Sequence, residues 1–145
     1  MKNLKGDLFK GVGYVDAICI TTNGYVKANG ECVMGRGCAR TAKQKWPELP
    51  LRLGQCVTHN GNHANWLIDV ENTKIFCFPV KHNWWEVADI ELIKRSAKEM
   101  VEHADHFGLR SILIPRPGCG NGKLDYKDVE PVLQEILDDR FGIVT

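Results

Sequence analysis

The chain has 145 residues, 43% of them hydrophobic, which is the length of one domain with apolar material for one core. Nineteen basic residues face eighteen acidic ones, a formal net charge of +1, so no strong overall field draws it to nucleic acid or to a membrane; a nucleic-acid substrate would have to be held locally. The N-terminus MKNLKGDLFK lacks the apolar core of a signal peptide, no stretch has the length of a membrane span, and the six cysteines form no CxxC pair, so a cytoplasmic protein with reduced thiols is expected.

The first short strand is expected to end near Asp7. Val15 to Thr22, VDAICITT, reads as a buried strand running into Asn23-Gly24, a strong turn signal, and then into the glycine-bearing stretch NGECVMGRGCA with Gly30, Gly35 and Gly37. From about Gly35 the spacing of Arg36, Ala39, Ala42, Lys43 and Trp46 is helical, and the helix should stop before Pro47. Asn65–Val70 and Lys74–Val80 read as neighbouring strands, the second apolar on both faces and therefore interior to its sheet. Pro79 is expected to end that ladder and leave Lys81 at the sheet's carboxyl edge. Trp84 and Trp85 follow, either as stacking surfaces beside a ligand or with one of them anchoring the next helix. Ala88 to Phe107 carries Ile90, Ile93, Ala97, Met100, Val101 and Ala104 at helical spacing, with Gly108 as its stop. Ile112 to Ile114 is a buried strand stopped by Pro115 and Pro117, after which Gly118, Gly120 and Gly122 open a second glycine loop. Asp125 is a candidate N-cap for the next helix, but Pro131 would then lie more than a turn inside it. A separate first turn, or a start nearer Asp128, is expected.

Two strands that each open into a glycine loop and a helix suggest two walls of one crevice, with backbone N–H groups and helix N-termini turned toward an anion. The second loop is not a Walker loop, because Pro117 stands where the first glycine is needed and Leu124 where a Ser or Thr is needed. It is also one residue short of the dinucleotide fingerprint. The pairs His59 with His63 and His103 with His106 have spacings that could hold a metal, but loop and helix-end histidines are ordinarily surface residues, and no metal is expected.

In order, GDLF from Gly6, the strand ending in Asn23, the loop VMGRGCA, FPVK at Phe78 to Lys81 and the loop PRPGCGNGKLD together resemble a macro domain, the module that binds ADP-ribose. The resemblance runs from Gly6 to the final strand. It is nearest to the compact bacterial and phage branch, similar to DNA-ADP-ribosyl hydrolase antitoxins and to single-domain hydrolases of ADP-ribosylated glutamate. It implies a three-layer α/β/α fold with a mixed, mostly parallel central sheet, formed by residues 1–145 as a single macro domain. It further implies ADP-ribose or an ADP-ribosylated substrate as partner, nucleic acid only as a modified substrate, no cofactor, no membrane and a monomer.

The same resemblance assigns the site. Asp7 would accept a hydrogen bond from the adenine amino group, with the backbone at Leu8 holding the ring. Asn23 would reach the distal ribose, and the backbone of Val33, Met34, Gly35, Arg36 and Gly37 would hold that ribose and the neighbouring phosphate. Gly118, Cys119, Gly120, Asn121 and Gly122 would cradle the diphosphate. Lys81, Asn23 and Asp125 are the candidate catalytic residues, with Lys81 acting at the distal ribose. Two positions depart from the pattern: Ile20 stands where an asparagine is usual, and Gly122 where the glutamate-type hydrolases carry an aspartate. Asp125 matches an aspartate common in the antitoxin-like branch, where capping alone can be its role. The missing aspartate at Gly122 favours attack by water at the anomeric carbon, with the diphosphate and Lys81 stabilising the developing charge, over a covalent ribose intermediate on Lys81; Lys81 favours an enzyme, and the two departures together favour binding without chemistry. The implied activity is release of ADP-ribose from a protein side chain, a DNA base or a 1″-phosphate; the alternative is a module that binds ADP-ribose without chemistry.

Overall fold

The structure, a computed structural model, describes residues Met1–Thr145. Its elements are β1 (Lys2–Leu4), a 3₁₀ helix (Leu8–Gly11), β2 (Ala17–Asn23), α1 (Gly37–Lys45), α2 (Leu49–Asn60), β3 (Asn65–Val70), β4 (Thr73–Lys81), α3 (Ile90–Phe107), β5 (Ile112–Pro115), α4 (Tyr126–Ile136) and β6 (Phe141–Val144). The six strands form one sheet in the order β1-β6-β5-β2-β4-β3, parallel except where β3 pairs antiparallel with β4. That hairpin turns on Glu71 and Asn72, both at positive φ, the backbone geometry that matches strand twist in a two-residue turn.

Alternation along the strands sorts side chains into two cores. Ala17, Cys19, Phe76, Phe78 and Ile114 face α3 and α4, where Ile93, Ala97, Met100 and Leu133 pack on them. Ile18, Ile20, Ile75 and Cys77 face the other way, against Ala42 of α1 and Leu49, Leu53 and Cys56 of α2. Strands buried on both faces, with helices above and below, make the expected three-layer α/β/α sandwich with a mixed, mostly parallel sheet. α3 fits its sequence closely: Asp89 caps it by accepting from the Glu91 N–H, and Gly108 closes it at φ +66°.

Three expectations need correction. Pro79 does not end the β4 ladder; it pairs opposite Thr22, and the register shifts by one residue before Asn23 meets Lys81. A proline lacks one donor, and at a bulge that donor has no fixed partner to lose, so the strand runs on to Lys81. The last helix has neither a separate first turn nor a later start: Asp125 caps it, and Pro131 lies within it at the cost of one backbone bond. Asp7 lies beyond β1, where its carboxylate accepts from the Phe9 N–H and caps the 3₁₀ helix. One helix was not anticipated at all. α2 has Pro50 in its first turn and buries Leu49, Leu53 and Cys56 at spacings of three and four, a pattern that the sequence displays.

Candidate functional site

β2, β4 and β5 run parallel, so Asn23, Lys81 and Pro115 end at the same edge of the sheet. Beyond that edge the two glycine loops enclose a crevice of about 660 Å³. Of the residues expected at the site, Asn23, Val33, Gly35, Arg36, Gly37, Lys81, Gly118, Gly120, Asn121 and Gly122 line it together. Met34 turns into the core beneath its loop, almost fully buried. Cys119 and Asp125 lie around the corner, in a shallower pocket with Arg116, Lys123 and Tyr126. Asp7 and Leu8 are not part of the crevice wall; Leu8 is buried and Asp7 is occupied as a cap.

Asn23 fastens the first loop. Its Nδ2 donates to the Val33 carbonyl at 2.9 Å and its Oδ1 accepts from the Tyr25 N–H at 2.9 Å. One amide hydrogen is left for a ligand. The loop then enters α1 through Arg36, an extended residue whose side chain makes no cap, so the first N–H groups of α1 are open to the crevice. Gly37 has φ +55°, and a Cβ there would come within 2.8 Å of the Asn121 amide, so the two glycine loops meet at this point.

Gly122 explains the departure noted at its position. A Cβ on it would overlap the Gly118 backbone, 2.7 Å from Gly118 Cα. No side chain fits without moving the loop, and an aspartate at that position is therefore incompatible with this loop conformation. Ile20 is wholly buried among residues of α1 and α2 and does not line the crevice.

Lys81 lies at the base of the crevice, 9% exposed, and its Nζ donates to the carbonyls of Asn121 at 3.2 Å and Trp84 at 3.4 Å. Burial, reinforced by the charges of Arg36 and Lys123, lowers its pKa from the ordinary lysine value. The backbone of Lys81 is fixed by Asn62, whose Nδ2 donates to its carbonyl at 3.0 Å. Lys27, Arg36, Lys81 and Arg116 line the crevice, and no aspartate or glutamate does. Cys38 also lines it, but burial pushes its thiol up to about 11, and Cys119 is raised as well, so neither supplies a thiolate nucleophile at neutral pH.

Sequence reasoning missed Tyr25, Lys27, Arg116 and Asn62. Arg116 lies within the loop PRPGCGNGKLD but was given no role there; Tyr25, Lys27 and Asn62 belong to no motif with a spacing of its own.

The fold is a three-layer α/β/α domain with a basic, glycine-walled crevice at the carboxyl edge of its sheet, a shape and charge suited to an anion. The chain belongs to the macro domain family, whose family model matches residues 26–133. It is 33% identical over 69 residues to the DNA ADP-ribosyl glycohydrolase of Thermus aquaticus, a match that covers 48% of this chain and 19% of that protein. It is 26% identical over 136 residues to the bovine ADP-ribose glycohydrolase OARD1, covering 93% of this chain and 82% of that one. The macrodomain of Thermus aquaticus DarG superposes with a TM-score of 0.80 at 25% identity, over 99% of this chain and 95% of that one. The match to the DNA ADP-ribosyl glycohydrolases spans only 18% to 30% of their own lengths. No helix is long and apolar enough to cross a membrane.

Proposed function

We propose that residues 1–145 form one macro domain that binds ADP-ribose in this crevice and hydrolyses the bond between its distal ribose and an attached group. The attached group is a protein side chain, a DNA base or a 1″-phosphate. The observation that carries the reading is Lys81, a desolvated lysine placed between two anion-cradling loops. The names of the matched relatives, glycohydrolases of ADP-ribosylated DNA and of ADP-ribose, support it.

The diphosphate lies against the N-terminus of α1 and the loop from Gly118 to Gly122, where open N–H groups and Arg36 offset its charge. Asn23 gives its free amide hydrogen to the distal ribose. As the bond from C1″ to the attached group breaks, positive charge grows on the ribose and negative charge on the leaving atom. The diphosphate faces the first and the Lys81 ammonium the second. Water adds to C1″ and loses its proton to solvent, while the leaving group takes one from Lys81, which solvent then restores. Asp125 serves by capping α4 and so holding the end of the second loop.

A second reading has its own observation. With no carboxylate in the crevice, nothing there activates a water, which suits a module that holds ADP-ribose or its derivatives without turning them over. Calorimetric titration with ADP-ribose, with AMP and NAD as controls, tests what the readings share: micromolar binding of ADP-ribose alone supports the site, and no binding overturns it. Lys81→Ala separates them. Loss of turnover with ADP-ribose binding kept assigns Lys81 its role, and unchanged turnover removes it.

A further inference from the structure

Lys81 is the last residue of β4, and the sheet holds that end loosely. β3 pairs with β4 only as far as Cys77, so Phe78 to Lys81 run on without a strand on that side. On the other side the register with β2 shifts between Thr22 and Asn23, and Pro79 has no N–H to give. A buried ammonium at such an end has reason to leave, because fraying of the strand restores its hydration.

Asn62, in the turn that leads from α2 into β3, takes the place of a strand there. Its Nδ2 donates to the Lys81 carbonyl at 3.0 Å. The same amide lies against the turn that follows Asn23: a Cβ on Gly24 would come within 2.7 Å of Asn62 Cγ, and the Gly24 N–H donates to the His82 carbonyl at 3.1 Å. One side chain is thus wedged between the end of β4 and the first loop. Behind it, Arg95 of α3 donates to the Asn62 carbonyl. Glu99 of α3 accepts from the Ala64 N–H at 3.1 Å and pairs with His63 Nδ1 at 2.6 Å, so the turn itself is fastened to a long helix.

Stability alone does not account for this amide. Asn62 Oδ1 is buried and no group of the chain donates to it. An acceptor left in that state costs about as much as the bond from Nδ2 contributes. We infer that Asn62 is a positioning residue: through the Lys81 carbonyl and the Gly24 turn it holds the Lys81 ammonium at the base of the crevice and keeps it in register with Asn23. It acts only through its neighbours, since it does not line the crevice. The purpose of that hold follows from the role proposed for Lys81, on which this inference rests.

The test follows the Lys81 amine itself and so needs no turnover. Competitive acetylation with acetic anhydride across a pH series, read at Lys81 by mass spectrometry, gives the pH midpoint of the amine. The wild-type midpoint lies below the ordinary 10.5. Asn62→Ala should move it up toward 10.5, because the released ammonium reaches water, and should leave ADP-ribose affinity in calorimetry within about twofold. Gly24→Ala should do the same by pushing the amide aside, and it decides the matter alone if Asn62→Ala does not fold. Added to Asn62→Ala, the Gly24→Ala change should shift the midpoint no further, because its methyl group takes the space the amide has left. Midpoints unchanged in the single variants, shifts that add in the double variant, or a shift accompanied by loss of ADP-ribose affinity overturns the positioning role. Failure of wild-type protein to bind ADP-ribose overturns the crevice reading instead, a result that the midpoints do not affect.

Discussion

At the residue scale, Lys81 combines a chemical role with a cost to folding. Its pKa is lowered from 10.5 in the folded chain, because the crevice desolvates its charge and Arg36 and Lys123 repel it. A lysine with a lowered folded pKa binds fewer protons folded than unfolded. Its cost to stability is therefore complete below the folded pKa and disappears as pH rises from there toward 10.5. Replacing Lys81 by Met should stabilise the fold at pH 7 by about 0.5–2 kcal/mol while removing turnover, with the advantage over wild type shrinking toward pH 10. Urea unfolding at the two pH values measures this. A destabilised Lys81→Met protein at pH 7 would mean that the bonds to Trp84 and Asn121 outweigh the desolvation.

At the scale of the element, the two glycine loops are shaped by where a side chain has no room. Gly118 at φ +76° lies so close to Ala88 and Ile93 that a Cβ would come within 2.8 Å of either, and Gly122 is pressed against the Gly118 backbone. The missing aspartate at Gly122 is thus a property of this loop and not a single exchange that evolution could reverse freely. Gly122→Asp should not raise turnover and should weaken ADP-ribose by about 5- to 150-fold, since overpacking on backbone costs roughly 1–3 kcal/mol. Calorimetry on the variant decides it, and wild-type affinity would show a loop that relaxes cheaply. Asp125 illustrates the other use of a carboxylate, accepting from the Lys127 N–H at 3.1 Å to start α4 despite Pro131.

At the scale of the whole molecule, one sheet buried on both faces brings Asn23, Lys81 and Pro115 to the same edge, so the site and the fold stand or fall together. A ligand that binds only the folded chain stabilises it by mass action, about 2.7 kcal/mol at a hundredfold excess over Kd. ADP-ribose at that excess should raise Tm by several degrees, the rise persisting in Lys81→Ala and shrinking markedly in Gly122→Asp. Thermal melts with and without ligand measure it, and no rise in wild type would show that ADP-ribose does not bind the folded chain.

The sequence by itself determined the strands around Ile18, Phe76 and Leu113, α1 and α3, the two glycine loops and Lys81 at a strand end. Each of these rests on local periodicity or on residues whose backbone preferences act within a few positions. Only the tertiary structure decided that Pro79 continues its strand through a bulge, that Asn62 holds the Lys81 backbone, that a Cβ at Gly122 has no room and that Tyr25 joins Trp84 and Trp85 in one aromatic surface. Most of those outcomes depend on partners far along the chain, while the Gly122 contact depends on how the loop folds back on Gly118, and no spacing encodes a contact that the folded backbone creates.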